Sequence, residues 1–266
     1  MDVPYKALTI AGSDSGAGAG IQADLKTFAA LGVYGTSVVT AITAQNTKGV
    51  TQILELPIDL ISAQIDAVIE DIGTFALKTG MLANSEIINV VAAKIRQHRL
   101  QNLVVDPVMV AKGGDLLLRQ DAIDTLRSRL LPLASIVTPN LPETERLTGI
   151  RGTRMQNLKD AAKHFIDLGA RSVVIKGGHR KGPATDLFYD GKEFRTLKAS
   201  RISTANTHGT GCTFSAAIAA GLAKGEKLEK AVVQAKRYIT QAIRNGYSIG
   251  SGHSPVHHFY RFWAKD

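Results

Sequence analysis

The sequence is poor in cysteine and in aromatic residues. Cys212 is the only cysteine among 266 residues, which excludes an intrachain disulfide and a thiolate metal cluster. No run of about 18 apolar residues occurs, so no membrane span is expected. The start, Met1-Asp-Val-Pro-Tyr-Lys6, lacks a charged segment followed by an apolar core, so we expect no secretory signal and a cytoplasmic location. Aromatic residues make up 6% of the sequence. No block of basic residues is interleaved with them, so the sequence lacks the pattern that would indicate nucleic-acid binding.

Charge and length fit one soluble globular domain. The 32 Lys and Arg exceed the 23 Asp and Glu, which gives a net charge of +9. The basic residues are scattered, which favours a solvated basic surface, although such a charge also helps to hold a polyphosphate. With 44% hydrophobic and 21% charged residues and no Pro/Gly/Ser-rich linker or internal repeat, residues 1–266 are predicted to form a single domain.

Short apolar runs alternate with amphipathic ones along the chain. This alternation predicts an α/β fold with a central, mostly parallel sheet that is flanked by helices on both faces. The predicted strands are 6–11, 36–43, 51–56, 75–78, 103–105, 136–137 and 172–175, followed by a hairpin over 187–197. The predicted helices are 21–31, 57–71, 85–98, 121–131, a short one ending near 149, 155–168, one after 212 and 228–245.

The segment Asn206-Thr-His-Gly-Thr-Gly-Cys-Thr213 leads directly into a helical pattern. Gly209 and Gly211 allow a tight turn where a side chain would obstruct a ligand. Because the first amides of a helix lack partners within it and its dipole is positive there, Gly209 to Cys212 is predicted to bind an anion such as a phosphoryl group. The alternative is an ordinary glycine-containing helix start. Five residues are predicted to share one apolar face of that helix: Phe214, Ala217, Ile218, Gly221 and Leu222.

A second glycine-rich loop, Gly12-Ser-Asp-Ser-Gly-Ala-Gly-Ala-Gly20, lies between the first strand and the first helix. A dinucleotide-binding fingerprint would need glycine at position 21, where Ile21 stands, and no Walker A pattern occurs. With Asp14 in the loop and Asp24 on the helix, the loop is predicted to fold over a small polar substrate. A flexible surface turn is the alternative.

Other polar residues follow the predicted strands. Gln45 offers the donor and acceptor that match the edge of an aminopyrimidine, and Asp106 suits a carboxylate that holds Mg²⁺. Asn140 and Glu143 lie just past another strand, and Lys176 stands beside two glycines where a nucleotide phosphate could bind. Each has a plain alternative as a turn or capping residue. All of these polar residues follow predicted strands. Since ligands bind at the carboxyl ends of parallel strands, we expect these residues to form one site.

Several motifs, in order over nearly the whole chain, resemble one family. They are ALTIAGSDSGAGAGIQADLKTFAALGVYG, TAQNTKGV, KTGML, VVDPVM, TPNLPE, KGGH, NTHGTGCTFSAA and PVHHF. They are similar to those of the hydroxymethylpyrimidine/phosphomethylpyrimidine kinases of thiamine biosynthesis, in the ribokinase-like superfamily. The resemblance implies MgATP-dependent phosphorylation of 4-amino-5-hydroxymethyl-2-methylpyrimidine to its monophosphate and then its diphosphate, by a homodimer.

The resemblance also implies roles for individual residues. Gln45 would read the pyrimidine edge, and the pocket would be lined by Gly12, Asp24, Met81 and Val108. Asp106, Asn140 and Glu143 would arrange Mg²⁺ and its waters, and Lys176 would neutralise the ATP phosphates. The transferring group would bind at Gly209, Thr210, Gly211 and Cys212. Adenine would lie between the loop before Asn206 and the last helix.

Cys212 stands where sugar kinases of the superfamily carry an aspartate base. Free cysteine has a pKa of about 8.5, which is lowered at helix N-termini, so Cys212 is expected to orient the substrate hydroxyl and assist its proton loss. The alternative is that Cys212 packs as a small apolar residue. Three other functions are alternatives to this one: a pyridoxal kinase of the same superfamily, a non-catalytic pyrimidine- or nucleotide-binding regulator, and a thiol hydrolase pairing Cys212 with His208.

Overall fold

Nine strands of the described chain form one sheet in the order β3-β2-β1-β4-β5-β6-β7-β8-β9. The computed structural model describes residues 4–110, 114, 117–119, 121–178 and 182–263. The strands are β1 (Lys6–Asp14), β2 (Tyr34–Gln45), β3 (Val50–Glu55), β4 (Ala76–Thr79), β5 (Leu103–Val105), β6 (Ile136–Val137), β7 (Val173–Ile175), β8 (Ala184–Tyr189) and β9 (Phe194–Ala199). The pairs from β2 through β7 are parallel, whereas β3, β8 and β9 pair antiparallel. The carboxyl ends of six strands therefore meet at one edge.

Eight α-helices alternate with these strands in the described residues. They are α1 (Gly20–Ala30), α2 (Ile58–Asp71), α3 (Ser85–Gln97), α4 (Ala122–Thr125), α5 (Leu141–Thr148), α6 (Met155–Asp167), α7 (Thr210–Ala223) and α8 (Leu228–Arg244). The helix predicted over 121–131 instead becomes α4, a π-helical turn and a 3₁₀ turn, because Pro132 lacks the N–H that an α-helix needs. No helix of the described chain has the length and hydropathy required to cross a bilayer.

Each face of the sheet is covered by its own hydrophobic core. In β5, Leu103 and Val105 pack into the core formed with α2, α3 and α6, whereas Val104 packs into the core formed with α1, α7 and α8. Successive side chains of a strand point to opposite faces, so the fully apolar strands match a sheet buried on both sides. The predicted α/β architecture is confirmed; the domain limits at 1 and 266 stay a prediction.

Helix α7 lies at the centre of its layer. Every residue from Thr213 to Ala223 is buried, and the helix packs on α8, α1 and the parallel strands. The prediction of a single apolar face was therefore wrong, because α7 is covered on all sides. Its many alanines allow this close packing, since small side chains let neighbouring backbones approach.

The C-terminal tail docks on the start of α7. His208 donates its backbone N–H to Ser254 O at 3.0 Å, and Val256 donates to His208 O at 3.3 Å. His258 Nε2 lies 3.0 Å from Thr213 Oγ1, and burial lowers the pKa of His258 to about 3. These contacts give the tail histidines a structural place and fix the approach to the helix.

Candidate active site

A cavity of about 630 Å³ opens at the carboxyl edge of the parallel strands. All of the predicted site residues except Asp24 line it: Gly12, Gln45, Met81, Asp106, Val108, Asn140, Glu143, Lys176, Gly209, Thr210, Gly211 and Cys212. A Cβ on Gly12 would lie 3.0 Å from Met81 Sδ, so glycine is what allows β1 and the Met81 side chain to form this wall together. The sheet therefore brings segments far apart in sequence to one space.

Two glycines shape the start of α7. Gly209 has a φ of 74°, and a Cβ there would lie 1.8 Å from Gly18 O, so only glycine fits. The Thr210 amide donates to Thr207 O at 3.3 Å, which leaves the Gly211 and Cys212 amides as the helix-end donors without a helical partner. A Cβ on Gly211 would lie 3.2 Å from Lys176 Nζ. Glycine there keeps space for an anion between the amides and that ammonium group.

Lys176 and Asp106 form an ion pair beside this helix start. Lys176 Nζ lies 2.9 Å from Asp106 Oδ1, and Ser215 Oγ donates to Asp106 Oδ2 at 3.2 Å. Burial alone would raise the pKa of Asp106, but Lys176, Lys78 and the Thr138 hydroxyl hold it below its ordinary value. Burial alone would lower the pKa of Lys176, but Asp106 and Glu143 raise it. Both groups are therefore charged at neutral pH.

Asn140 and Glu143 form the N-terminal capping box of α5. The Asn140 N–H donates to Glu143 Oε2 at 2.7 Å, and the Glu143 N–H donates to Asn140 Oδ1 at 2.9 Å. The side-chain oxygen of Asn140 thus caps α5, and Asn140 also lines the cavity; its role toward Mg²⁺ stays a prediction. Burial raises the pKa of Glu143 to about 7 despite the nearby Lys176. The Glu143 carboxyl still lines the cavity.

The Cys212 thiol differs from the sequence-based expectation. Cys212 is half-buried at the cavity wall, and desolvation raises the pKa of its thiol to about 11, although Lys78 and the helix-end location favour the thiolate. The expectation of a lowered pKa was wrong because burial outweighs the helix dipole here. Cys212 is a neutral thiol at physiological pH.

The family model for phosphomethylpyrimidine kinase matches residues 14–257. The chain belongs to this family. A hydroxymethylpyrimidine/phosphomethylpyrimidine kinase of Rhizobium meliloti is 55% identical over 262 residues, which cover 97% of this chain and 98% of that one. The bifunctional thiamine biosynthesis protein ThiED of Geobacter sulfurreducens is 52% identical over 252 residues, and this chain spans 51% of its length. The family consists of phosphotransferases.

Solved structures show the same ribokinase-like fold in two kinds of kinase. The ADP complex of Bacillus subtilis pyridoxal kinase has a TM-score of 0.91 and 42% identity, over 98% of this chain and 100% of that one. Phosphomethylpyrimidine kinase from Clostridium difficile has a TM-score of 0.81 and 45% identity, over 90% and 99%. Kinases named for two different substrates thus share this fold, so the fold alone does not identify the substrate.

Asp24 lies beneath the kinase cavity rather than in its wall. Its side chain is fully buried, where it accepts from Lys78 Nζ at 2.8 Å and from Thr9 Oγ1 at 2.6 Å. Its predicted place in the substrate pocket was wrong, because α1 directs Asp24 toward β4. Lys78 does line the cavity, and sequence reasoning missed it. The available signal was a lysine inside a short, otherwise apolar strand.

Sequence reasoning also missed the pairing of the two glycine-rich loops. His208 Nε2 lies 2.8 Å from Asp14 Oδ2 and 3.4 Å from the side-chain amide of Gln45. A Cβ on Gly18 would lie 2.2 Å from His208 Cδ2, so the loops interlock. This geometry uses the His208 ring to hold Asp14, which argues against a hydrolase pair with Cys212.

The far end of the cavity lies between the segment before Asn206 and α8, where adenine was predicted. It is lined by Asp186, Ser200, Arg201, Ile202, Lys236, Ile239, Thr240 and Ile243. Lys236 Nζ lies 2.6 Å from Asp186 Oδ2, and the Gly177 N–H donates to Asp186 Oδ1 at 2.9 Å. His179 of the KGGH motif lies outside the described residues.

Proposed function

We propose that the chain transfers the γ-phosphoryl group of ATP to the hydroxymethyl group of 4-amino-5-hydroxymethyl-2-methylpyrimidine, and then phosphorylates the monophosphate to the diphosphate, in thiamine biosynthesis. One observation carries this proposal: an amide suited to a pyrimidine edge, a buried lysine and the amides of a helix start line the same cavity. The 55% identity to a kinase of that name supports the substrate.

The two ends of the cavity suit the two substrates. Gln45, with Gly12, Met81 and Val108 around it, provides a polar edge in an otherwise apolar wall for a small ring. The segment before Asn206 and α8 provides the larger end for a nucleotide, and the Bacillus subtilis neighbour of this fold was solved with ADP. Between them lie Lys176 and the amides of Gly211 and Cys212. Phosphoryl transfer depends mainly on positioning and charge neutralisation, which these groups supply.

The donor set near α5 fits Mg²⁺. Among the described residues, no three His, Cys, Asp or Glu side chains come together as a complete metal site. Mg²⁺ does not need one, because it keeps several waters and binds one or two carboxylates together with substrate phosphates. Asp106 and Glu143 are the carboxylates that would hold it. The positive charge of Mg²⁺ would compensate the negative charge of the buried Glu143 carboxylate. Bound Mg²⁺ would neutralise phosphate charge during transfer.

Cys212 has a limited part in this reaction. A thiol whose pKa is raised to about 11 is a poor base at neutral pH, so its role is to orient the hydroxyl in the first phosphorylation. The second phosphorylation has an ionised phosphate oxygen as acceptor and needs no proton removal. The same cavity can therefore serve both steps with amides and cations supplying most of the stabilisation.

Pyridoxal kinase activity is the second candidate, because the Bacillus subtilis pyridoxal kinase shares this fold at a TM-score of 0.91. Its identity of 42% is lower than the 55% of the Rhizobium meliloti relative. The Gln45 amide also matches an aminopyrimidine, which has a donor beside a ring acceptor. We therefore place the pyrimidine first.

The proposal includes a cytoplasmic homodimer. Strands β2 and β3 form an antiparallel pair at one edge of the sheet, and several of their apolar side chains are exposed, among them Ile42, Ile53 and Leu54. Ile42 and Leu54 are direct cross-strand partners, so they form a continuous apolar surface at the sheet edge. A second copy of the chain covering it would bury this surface. Sedimentation analysis of the wild type and of Leu54→Glu would test the dimer.

A coupled ADP-release assay tests the activity. It offers the hydroxymethylpyrimidine, its monophosphate, pyridoxal and ribose in parallel, with MgATP. We expect ADP release with both pyrimidines and much less with pyridoxal or ribose. Lys176→Met should lower kcat/KM by about 10²-fold or more, whereas Lys163→Met, at an exposed site on α6, should leave it unchanged. A preference for pyridoxal, or equal activity of both variants, would contradict the proposal.

A further inference from the structure

The side-chain amide of Gln45 is held between two fixed polar groups. As placed in the structure, Gln45 Oε1 lies 3.1 Å from Thr43 Oγ1, and Gln45 Nε2 lies 3.4 Å from His208 Nε2. An amide oxygen accepts hydrogen bonds and an amide nitrogen donates them, and a half-turn of the group exchanges the two. The protons on Thr43 and His208 therefore decide which way the amide faces.

At the Thr43 end, the hydroxyl proton is already committed. Thr43 Oγ1 lies 2.9 Å from the carbonyl oxygen of Ser13, and a carbonyl oxygen can only accept. A hydroxyl has a single proton, so Thr43 donates to Ser13 and can only accept from Gln45. Donor and acceptor therefore match at this end only after a half-turn of the amide, which brings its nitrogen beside Thr43.

At the His208 end, the Asp14 carboxylate determines that His208 Nε2 carries a proton. The Asp14 carboxylate accepts from the backbone N–H groups of Gly16, Gly18 and Ala19 and lies 2.8 Å from His208 Nε2. Burial alone would raise the pKa of Asp14, but His208 and these amides hold it below its ordinary value. The ionised carboxylate has no proton, so His208 Nε2 carries one and donates it. A protonated nitrogen cannot accept from Gln45 Nε2, so two N–H groups face each other at 3.4 Å as placed. The same half-turn brings the amide oxygen toward His208 and removes this mismatch.

We propose that Thr43, His208 and Asp14 are positioning residues that lock the Gln45 amide with its nitrogen toward Thr43 and its oxygen toward His208, and so determine which way round the pyrimidine binds. This inference rests on the proposed function. The ring nitrogen of an aminopyrimidine edge accepts and its amino group donates. The locked amide therefore places the ring nitrogen on the Thr43 side and the amino group on the His208 side.

The direction matters because of where the reacting group lies. On the proposed substrate the hydroxymethyl group is the ring neighbour of the amino group, on the side away from the ring nitrogen. An amino group on the His208 side therefore directs the hydroxymethyl toward the residues that follow His208, which are Gly209 to Cys212. With the amide reversed, the same pairing would direct the hydroxymethyl away from the start of α7.

The 4-oxo analogue of the pyrimidine provides the test, because its N–H and carbonyl reverse the donor and acceptor of that edge. In the wild type we expect kcat/KM to favour the amino substrate by about 10²-fold or more. Thr43→Val and His208→Leu free the amide to turn, so the preference should fall at least tenfold in each. Thr43→Ser and His208→Gln keep a hydroxyl and an N–H donor, and both should retain it.

The ratio of kcat/KM for the amino substrate to kcat/KM for the 4-oxo analogue distinguishes a positioning role from a role in folding. Residues that only support the fold would lower kcat/KM for both pyrimidines alike, so an unchanged preference in Thr43→Val and His208→Leu overturns the inference. Circular dichroism identifies any unfolded variant, and the nearly isosteric Thr43→Val decides the result if His208→Leu does not fold. A wild type that phosphorylates neither pyrimidine would overturn the proposed function and this inference together; an active wild type with an unchanged ratio in the variants overturns only the inference.

Discussion

Replacing Asp24 by asparagine should destabilise the protein more than most single changes, through Lys78. Lys78 and Asp24 have no exposed side-chain surface, and Lys78 Nζ lies 2.8 Å from Asp24 Oδ2 and 3.1 Å from Oδ1. Burial alone would lower the pKa of Lys78, but the carboxylates of Asp24 and Asp106 raise it, so Lys78 is an ammonium group. Asp24→Asn leaves that charge buried without its nearest partner.

The size of the effect follows from the pair geometry. Breaking a fully buried ion pair costs about 3–5 kcal/mol, whereas replacing both partners with apolar residues of similar volume is often neutral. Since Asp106 still compensates part of the Lys78 charge, we expect about 3 kcal/mol for Asp24→Asn. The double variant Asp24→Leu/Lys78→Met removes both charges and leaves Thr9 Oγ1 without its acceptor, which costs about 1 kcal/mol.

Urea unfolding measures these free energies, with Glu145→Gln as the control. Glu145 pairs with Arg151 at the surface, where both side chains are exposed, so its loss should change stability by less than about 0.5 kcal/mol. The reasoning fails if Asp24→Asn costs under about 1 kcal/mol, or if Asp24→Leu/Lys78→Met loses as much stability as Asp24→Asn.

Three further predictions concern the helix start and α5. Gly211→Ala should keep the fold but lower kcat/KM for ATP at least tenfold, since its Cβ would lie 3.2 Å from Lys176 Nζ. Gly209→Ala should lower the thermal midpoint as well, because Gly209 has a φ of 74°. Equal thermal midpoints for the two variants would contradict this prediction. Alkylation of Cys212 by iodoacetamide should keep accelerating with pH to a midpoint near 11, and Cys212→Ala should slow the first phosphorylation more than the second; a midpoint near 8.5 would refute burial as the controlling factor. The raised pKa of Glu143, about 7 when folded against 4.5 when unfolded, means that the folded state holds a proton over this range and that stability falls as pH rises from 4.5 to 7. Glu143→Gln should therefore be more stable than the wild type at pH 8 by about 1–3 kcal/mol, and show less pH dependence in urea unfolding.

Local patterns were sufficient for the order of the elements. Apolar runs such as Leu103–Val105 identify strands because a doubly covered sheet requires both faces to be apolar, and the Asn140–Glu143 spacing matches a capping box. The carboxyl-edge rule then brought Gln45, Asp106 and Lys176 together without coordinates. Gln45 itself ends β2 instead of lying in the following turn, because β3 pairs back onto it.

Tertiary placement was beyond the sequence patterns. An alanine-rich helix such as α7 has the same spacing whether one face or all faces are covered, so the number of its neighbours cannot be read from it. The position of Asp24 under the cavity depends on the rotation of α1 against β4, which no local pattern fixes. The pKa of Cys212 depends on how much protein surrounds the thiol, and the helix-end rule alone gave the wrong sign.

Each of the two lysines Lys78 and Lys176 is paired with a carboxylate when no ligand is bound. Lys78 is neutralised by Asp24 and Lys176 by Asp106, so neither ammonium group is available to a phosphate at no cost. A phosphoryl group that reaches Lys176 must compete with Asp106, which Thr138 and Ser215 hold in place through hydrogen bonds. A cation that takes over the charge of Asp106 would release Lys176 toward the phosphate. In the proposed reaction, this arrangement would couple metal and nucleotide binding, because each one would compensate the charge that the other leaves unpaired.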